Sequence, residues 1–240
     1  SFISSEAGVN FSSDNFAVKV SAYNTDWKDR NLTKAVTTGQ GSSGDTDVIF
    51  LKGIGQKHQG LEVEGSMKLN DMVRLDGAVS FGKWKFDGDA DGLYTEYAED
   101  APIQTPYTYT LDGLYVGDQP QTAYVLGTTL TPMDGLRLQG IFKMYDKNYA
   151  DWSPDSRELS GDADRTQVWQ APGYNRLDLH ASYKLPKVAG YDMTLTGHVF
   201  NALDAVYVQD AVDNSQYNGY GDKLHLPHNA EVFLGTPRYF

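Results

Sequence analysis

The sequence predicts an all-β chain, an antiparallel up-and-down transmembrane β-barrel of which about nine strands are legible. Three observations lead there. Apolar and polar residues alternate with period two in segment after segment. Most of these segments run past the roughly 9–11 residues that a tilted strand needs to cross a bilayer. Short and long connections also take turns along the chain, and a soluble fold has no reason to collect every long loop at one end.

The elements follow in order. Segments at 2–12 and 16–34 are joined by the turn-forming "SSDN". The next, 48–69, ends in "LEVEGSMKL", where Leu61, Val63, Met67 and Leu69 interleave with Glu62, Glu64, Ser66 and Lys68. Across "NDM", the segment 73–87 sets Val73, Leu75, Val79 and Phe81 against Arg74, Asp76 and Ser80. Segments 121–131 and 136–148 flank "TPMDG"; the second sets Leu136, Leu138, Phe142 and Met144 against Arg137, Gln139 and Lys143. Segments 174–184 and 191–201 flank "LPKVAG", with Leu177, Leu179, Ala181 and Tyr183 against Arg176, Asp178, His180, Ser182 and Lys184 in the first. A last segment covers 230–240. The long connections fall at 35–47, 88–120, 149–173 and 202–229. Strict alternation means strands with one apolar and one polar face, because a helix needs apolar residues three and four apart.

Composition agrees. The chain holds 24 Gly, 16 Tyr and 10 Phe and carries a formal charge of -12, so nucleic acid is excluded as a partner and cations are attracted. Without cysteine it has no disulfide, thiolate metal site or cysteine nucleophile. No run of 18 apolar residues offers a membrane helix, a test that barrel strands escape because they average out as polar. Ser1 opens directly on a strand-like pattern, as in a processed chain or a fragment. With the short turns placed on the periplasmic side, Ser1 falls outside and Phe240 inside, and an odd strand count implies either part of a larger barrel or two strands fused within 48–69. Tyr183 and Tyr191 read as a lower interfacial girdle, and Tyr145, Tyr149 and Trp152 as an upper one.

Four motifs then resemble the TonB-dependent outer-membrane receptors: "EAGVNFSSDNFAVKVSAYNTDWKDR" (6–30), "HQGLEVEGSMKL" (58–69), "GHVFNALDAVYV" (197–208, through Phe200, Asn201, Leu203, Asp204 and Tyr207) and "AEVFLGTPRYF" (230–240). The resemblance implies that residues 1–240 are the C-terminal portion of a plugged barrel, of which roughly 22-stranded transporters are the type case. It also implies that the plug domain and TonB box lie outside these residues. The implied function is uptake of a scarce nutrient (siderophore, cobalamin, glycan or peptide) driven through TonB. The implied partners are outer-membrane lipid and lipopolysaccharide, the rest of the barrel and plug, TonB, and an extracellular ligand. A structural or interaction barrel of a surface or secretion assembly is the alternative, and a soluble carbohydrate-binding β-sandwich a third reading.

Candidate chemistry sits in the long loops. Asp87, Asp89, Asp91 and Gly92 fill the first half of a calcium-loop pattern whose twelfth position falls on Ala98, between Glu96 and Glu99. Ca2+ in the 87–99 loop requires one of these, or a backbone oxygen, to fold back onto the aspartates; otherwise the run is a solvated acidic loop. Tyr94, Tyr97, Tyr107, Tyr109, Trp152 and Trp169 are candidates to stack on ligand rings, with His225 and His228 beside them. Folding about a turn centred near 187 sets His180 opposite Leu195, about 10 Å from His198 at roughly 3.3 Å per residue, too far for shared ligation. Neither a Ser-centred elbow nor a His-Glu-x-x-His motif occurs, so no catalytic residue is assigned and no enzyme is expected.

Overall fold

A computed structural model describes residues 1–36, 47–97, 101–152, 154, 157, 165–187, 189–214 and 224–240. Among these residues fourteen strands appear: β1 Phe2–Ser12, β2 Phe16–Val36, β3 Asp47–Lys68, β4 Val73–Phe86, β5 Ala90–Tyr97, β6 Pro102–Tyr109, β7 Thr122–Met133, β8 Leu136–Asp146, β9 Asn148–Tyr149, β10 Gln170–Ala171, β11 Tyr174–Lys184, β12 Thr194–Val199, β13 Val208–Val212 and β14 Glu231–Leu234. The expected wall is present as an antiparallel meander in the order β1-β2-β3-β4-β7-β8-β11-β12. Among the described residues no helix is long and apolar enough to cross a membrane.

Register explains the two faces. Val9, Val20, Val63, Val79, Tyr124 and Met144 lie in one cross-strand row, and Phe11, Val18, Gly65, Gly77, Leu126, Phe142 and Leu177 in another. The intervening row runs Asn10, Lys19, Glu64, Ala78, Val125, Lys143 and Arg176 on the opposite face. The apolar face stays open, with Val9 74% and Leu126 55% exposed. A soluble sandwich buries such a face against a second sheet, whereas a membrane wall turns it to lipid. The polar face is therefore the inner wall.

Turn chemistry fixes the short end. Asn70 accepts from the backbone N–H of Met72 and Val73 (2.9 Å each), an Asx turn that returns the chain into β4. Gly135, Ala189 and Gly190 take positive φ in the short turns at 131–135 and 185–190.

Three expectations are corrected. The long connection 88–120 contains the hairpin β5–β6, which extends the sheet because β5 pairs with the upper half of β3. The last segment is not a wall strand over 230–240: β14 pairs with β13, and only Tyr239 reaches the wall, bridging Phe200. Pro237 lacks the N–H that a ladder needs, and Phe240 thus lies beside the long-loop end of β12 rather than the short-turn end. The upper girdle also dissolves: Tyr145 shares the inner face with Ala123 and Tyr174, while Tyr149 and Trp152 are buried. Tyr183 and Tyr191 do sit at the short-turn end, Tyr191 being 73% exposed.

Candidate ligand-facing site: the long-loop lobe and the inner wall

At the long-loop end the chain folds into a small lobe with its own core. Ile49, Leu51 and Ile54 of β3, Phe86 closing β4, Ala90 and Tyr109 of the hairpin, and Leu111, Leu114, Tyr149, Trp152 and Val168 pack together. Leu51, Leu111 and Leu114 are enclosed almost completely, each contributing roughly 2 kcal/mol by burial. Gly92 is required here, because a Cβ would overlap the Tyr109 ring. The aromatics singled out in the sequence therefore divide. Tyr109 and Trp152 are core residues at 1% and 4% exposure, and their rings hold the lobe together. Tyr94 and Tyr107 are partly buried against that core, edge-on to one another at 6.4 Å. Trp169 is half-buried, with its backbone N–H on Asp213. Tyr97 pairs through its backbone with Pro102 at the hairpin tip.

Two charge clusters tie the lobe together. Arg157 is wholly enclosed, donating to the Thr166 carbonyl (2.6 Å) and to Asp213 (3.2 Å), itself wholly enclosed. His225 donates from Nδ1 to the same carboxylate (2.6 Å) and is 7% exposed, so it serves this cluster and not the surface; His228 is exposed. The second cluster is the start of the calcium pattern. Asp89 accepts both terminal nitrogens of Arg165 (3.1 and 2.7 Å) and the backbone N–H groups of Leu111 and Asp112 (3.0 Å each). These bonds, the Arg165 pair foremost, hold its carboxyl below the usual carboxylate range. Asp91 accepts from Thr108 (3.3 Å). Because β5 is extended, Glu96 lies about 16 Å beyond Asp91 and on its other face, and so cannot fold back onto the aspartates. Glu99 lies outside the described residues. Among the described residues no group of three or more His, Asp or Glu gathers for a metal.

A third carboxylate group, Asp118, Asp151 and Asp210, joins the segment after the hairpin to the two later loops. Burial first, and then the charges of Asp151 and Asp210 with a hydrogen bond to Asp210, push the Asp118 carboxyl up to about 7.

Below the lobe the inner wall carries aromatics that the strand pattern alone did not single out. Trp84 donates its indole N–H to the Tyr23 hydroxyl (2.9 Å) and stacks on His58 at 5.3 Å. Farther round, Tyr174 stacks on Tyr207 at 4.2 Å and lies 5.0 Å from Tyr145, while Arg176 donates to the Tyr207 hydroxyl (3.1 Å). Arg176 Nε is buried with no hydrogen-bond partner among the described residues. The missed signal was parity: Tyr23, Trp84 and Tyr174 stand on the polar side of their strands. Parity does not explain the His pair. The actual turn is centred at 189, not 187, so His180 pairs directly with His198 and their Nδ1 atoms are 2.8 Å apart.

The two C-terminal motifs interlock. Buried Asn201 binds Ala205 through both side-chain atoms (2.9 and 3.0 Å) and also donates to the Thr236 carbonyl (3.2 Å). Asp204 accepts the Arg238 N–H (3.0 Å), Phe200 stacks on Tyr239 at 4.7 Å, and Tyr207 fills the space that a side chain at Gly235 would need. These signature residues seat the last segment against the wall. The family model described as "TonB dependent receptor-like, beta-barrel" matches residues 3–202. The chain belongs to that family. TonB-dependent receptors are transporters of the outer membrane, and the exposed apolar face and polar inner wall are those of their barrel. A comparison with curated proteins gave no match.

Proposed function

We propose that this TonB-dependent receptor takes up a scarce nutrient, a siderophore, cobalamin, glycan or peptide, with energy supplied through TonB. The observation that carries the ligand reading is the aromatic inner wall beneath the lobe. Tyr23, His58 and Trp84 on one side, and Tyr145 and Tyr174 with Arg176 on the other, stand on wall strands, and buried Tyr207 backs Tyr174 from the segment before β13. Flat rings with polar tips bind ring-bearing or sugar ligands at low entropic cost, and a guanidinium adds a fixed donor for carboxylate or phosphate. Tyr94 and Tyr107 on the lobe make the first contact, and the inner wall receives the ligand once the plug rearranges. These residues supply wall and loops.

Growth of a deletion strain on limiting iron, cobalamin, glycan or peptide tests the reading. Loss of growth on one source is expected, with complementation by the wild-type gene and weaker uptake through Trp84→Ala or Tyr174→Ala at equal receptor level. A deletion strain that matches its parent on every source sinks the proposal.

A further inference from the structure

We infer that His180 and His198 form a two-imidazole binding site for a divalent transition-metal ion of the copper or nickel type, on the inner wall formed by β11 and β12. The two residues face each other across β11 and β12, with Nδ1 atoms 2.8 Å apart and ring centroids 5.1 Å apart. Metal–imidazole bonds are about 2.0–2.1 Å long, so two nitrogens at a right angle lie about 2.9 Å apart, and at a tetrahedral angle about 3.3 Å. The observed separation matches the right-angled bite, which square-planar and octahedral ions take. Antiparallel pairing fixes both Cα positions, so the site needs only small rotations of the rings.

The surroundings hold that geometry and leave it open. Phe200 lies edge-on to His180 at 5.4 Å and stacked on His198 at 5.9 Å, and is itself stacked on Tyr239. Both imidazoles line a depression of about 280 Å³ shared with Arg137, Gln139 and Ser182. That space takes the water molecules that complete a coordination shell. Arg137 is exposed, so its opposing charge is weakened by solvent and salt. In the metal-free pair one Nδ1–H bonds to the other Nδ1. On binding, that proton moves to Nε2 of the same ring, both rings stay neutral, and both Nδ1 lone pairs go to the metal. This site is independent of the nutrient reading, and its test does not depend on transport.

The experiment is a Cu2+ titration of the full-length receptor in detergent, followed by electron paramagnetic resonance. The expected result is one ion with two-nitrogen hyperfine structure that disappears in His180→Ala and in His198→Ala, each losing at least tenfold in affinity. The conservative His198→Gln behaves as His198→Ala, and His228→Ala leaves the signal unchanged. Unaltered heat-modifiable migration on gels shows that each variant is folded. The assignment is overturned if the wild type gives no two-nitrogen copper signal, or if that signal survives in either alanine variant.

Discussion

Removing Arg157 should open the lobe while leaving the wall intact. The guanidinium and the Asp213 carboxylate are both 0% exposed, and Arg157 also donates to Thr166 while its carbonyl accepts the Thr110 N–H (2.8 Å). In Arg157→Leu the carboxylate stays buried with, among the described residues, His225 and the Trp169 N–H left as donors. Breaking one side of an enclosed pair costs about 3–5 kcal/mol, or roughly a hundred- to several-thousand-fold in a local opening equilibrium. Hydrogen exchange reads this directly: amides of 108–116 and 165–171 should lose that protection, and those of β7 and β8 should keep theirs. Adding Asp213→Leu should restore part of it, because the uncompensated charge is gone. A change below tenfold in the lobe, or an equal loss in the wall, would refute the reasoning.

Other outcomes follow from the same geometry. Gly92→Val should overpack the lobe against Tyr109 and Leu51, costing about 1–3 kcal/mol, with recovery on adding Tyr109→Leu; thermal unfolding of the lobe by hydrogen exchange checks it. Asp118 titrates near 7 in the fold and near 3.8 unfolded, so the native state holds the extra proton and its contribution is full below about pH 4 and gone above about pH 7. Exchange at 113–121 should therefore speed up from pH 5 to 8 after correction for intrinsic rates, and Asp118→Asn should flatten the profile. The Asp89 carboxyl is depressed, so the sign reverses: the Arg165 latch is present above the ordinary carboxylate pKa and lost as pH falls through the lowered one. Arg165→Ala should release the Leu111 and Asp112 amides at neutral pH, measurably in the same experiment.

The wall was legible because its signal is local. Alternation over eleven residues in "YNRLDLHASYK" determines which side chains share a face, and the register of β11 leaves that parity intact. The lobe was not legible, for reasons that differ by element. β6 carries Pro102 and Pro106 and reads as a loop, yet as a strand paired, among the described residues, with β5 alone it tolerates them. β9 and β10 are two residues each, too short for a period to show. The acidic run looked like half a cation site because spacing cannot reveal that Asp89 is met by Arg165, 76 residues away. The His pair was misplaced by a turn centre; Gly190, with φ of 85°, was the available clue to a later one.

The orientation of the wall decides which loops meet the outside, and residues 1–240, which hold no cysteine, can carry single cysteines that measure it. Ile103→Cys, on the exposed hairpin, should react with a membrane-impermeant maleimide on intact cells, whereas Asp71→Cys, in a short turn, should react only after the outer membrane is opened. Labelling of Asp71→Cys on intact cells with Ile103→Cys protected would contradict the account.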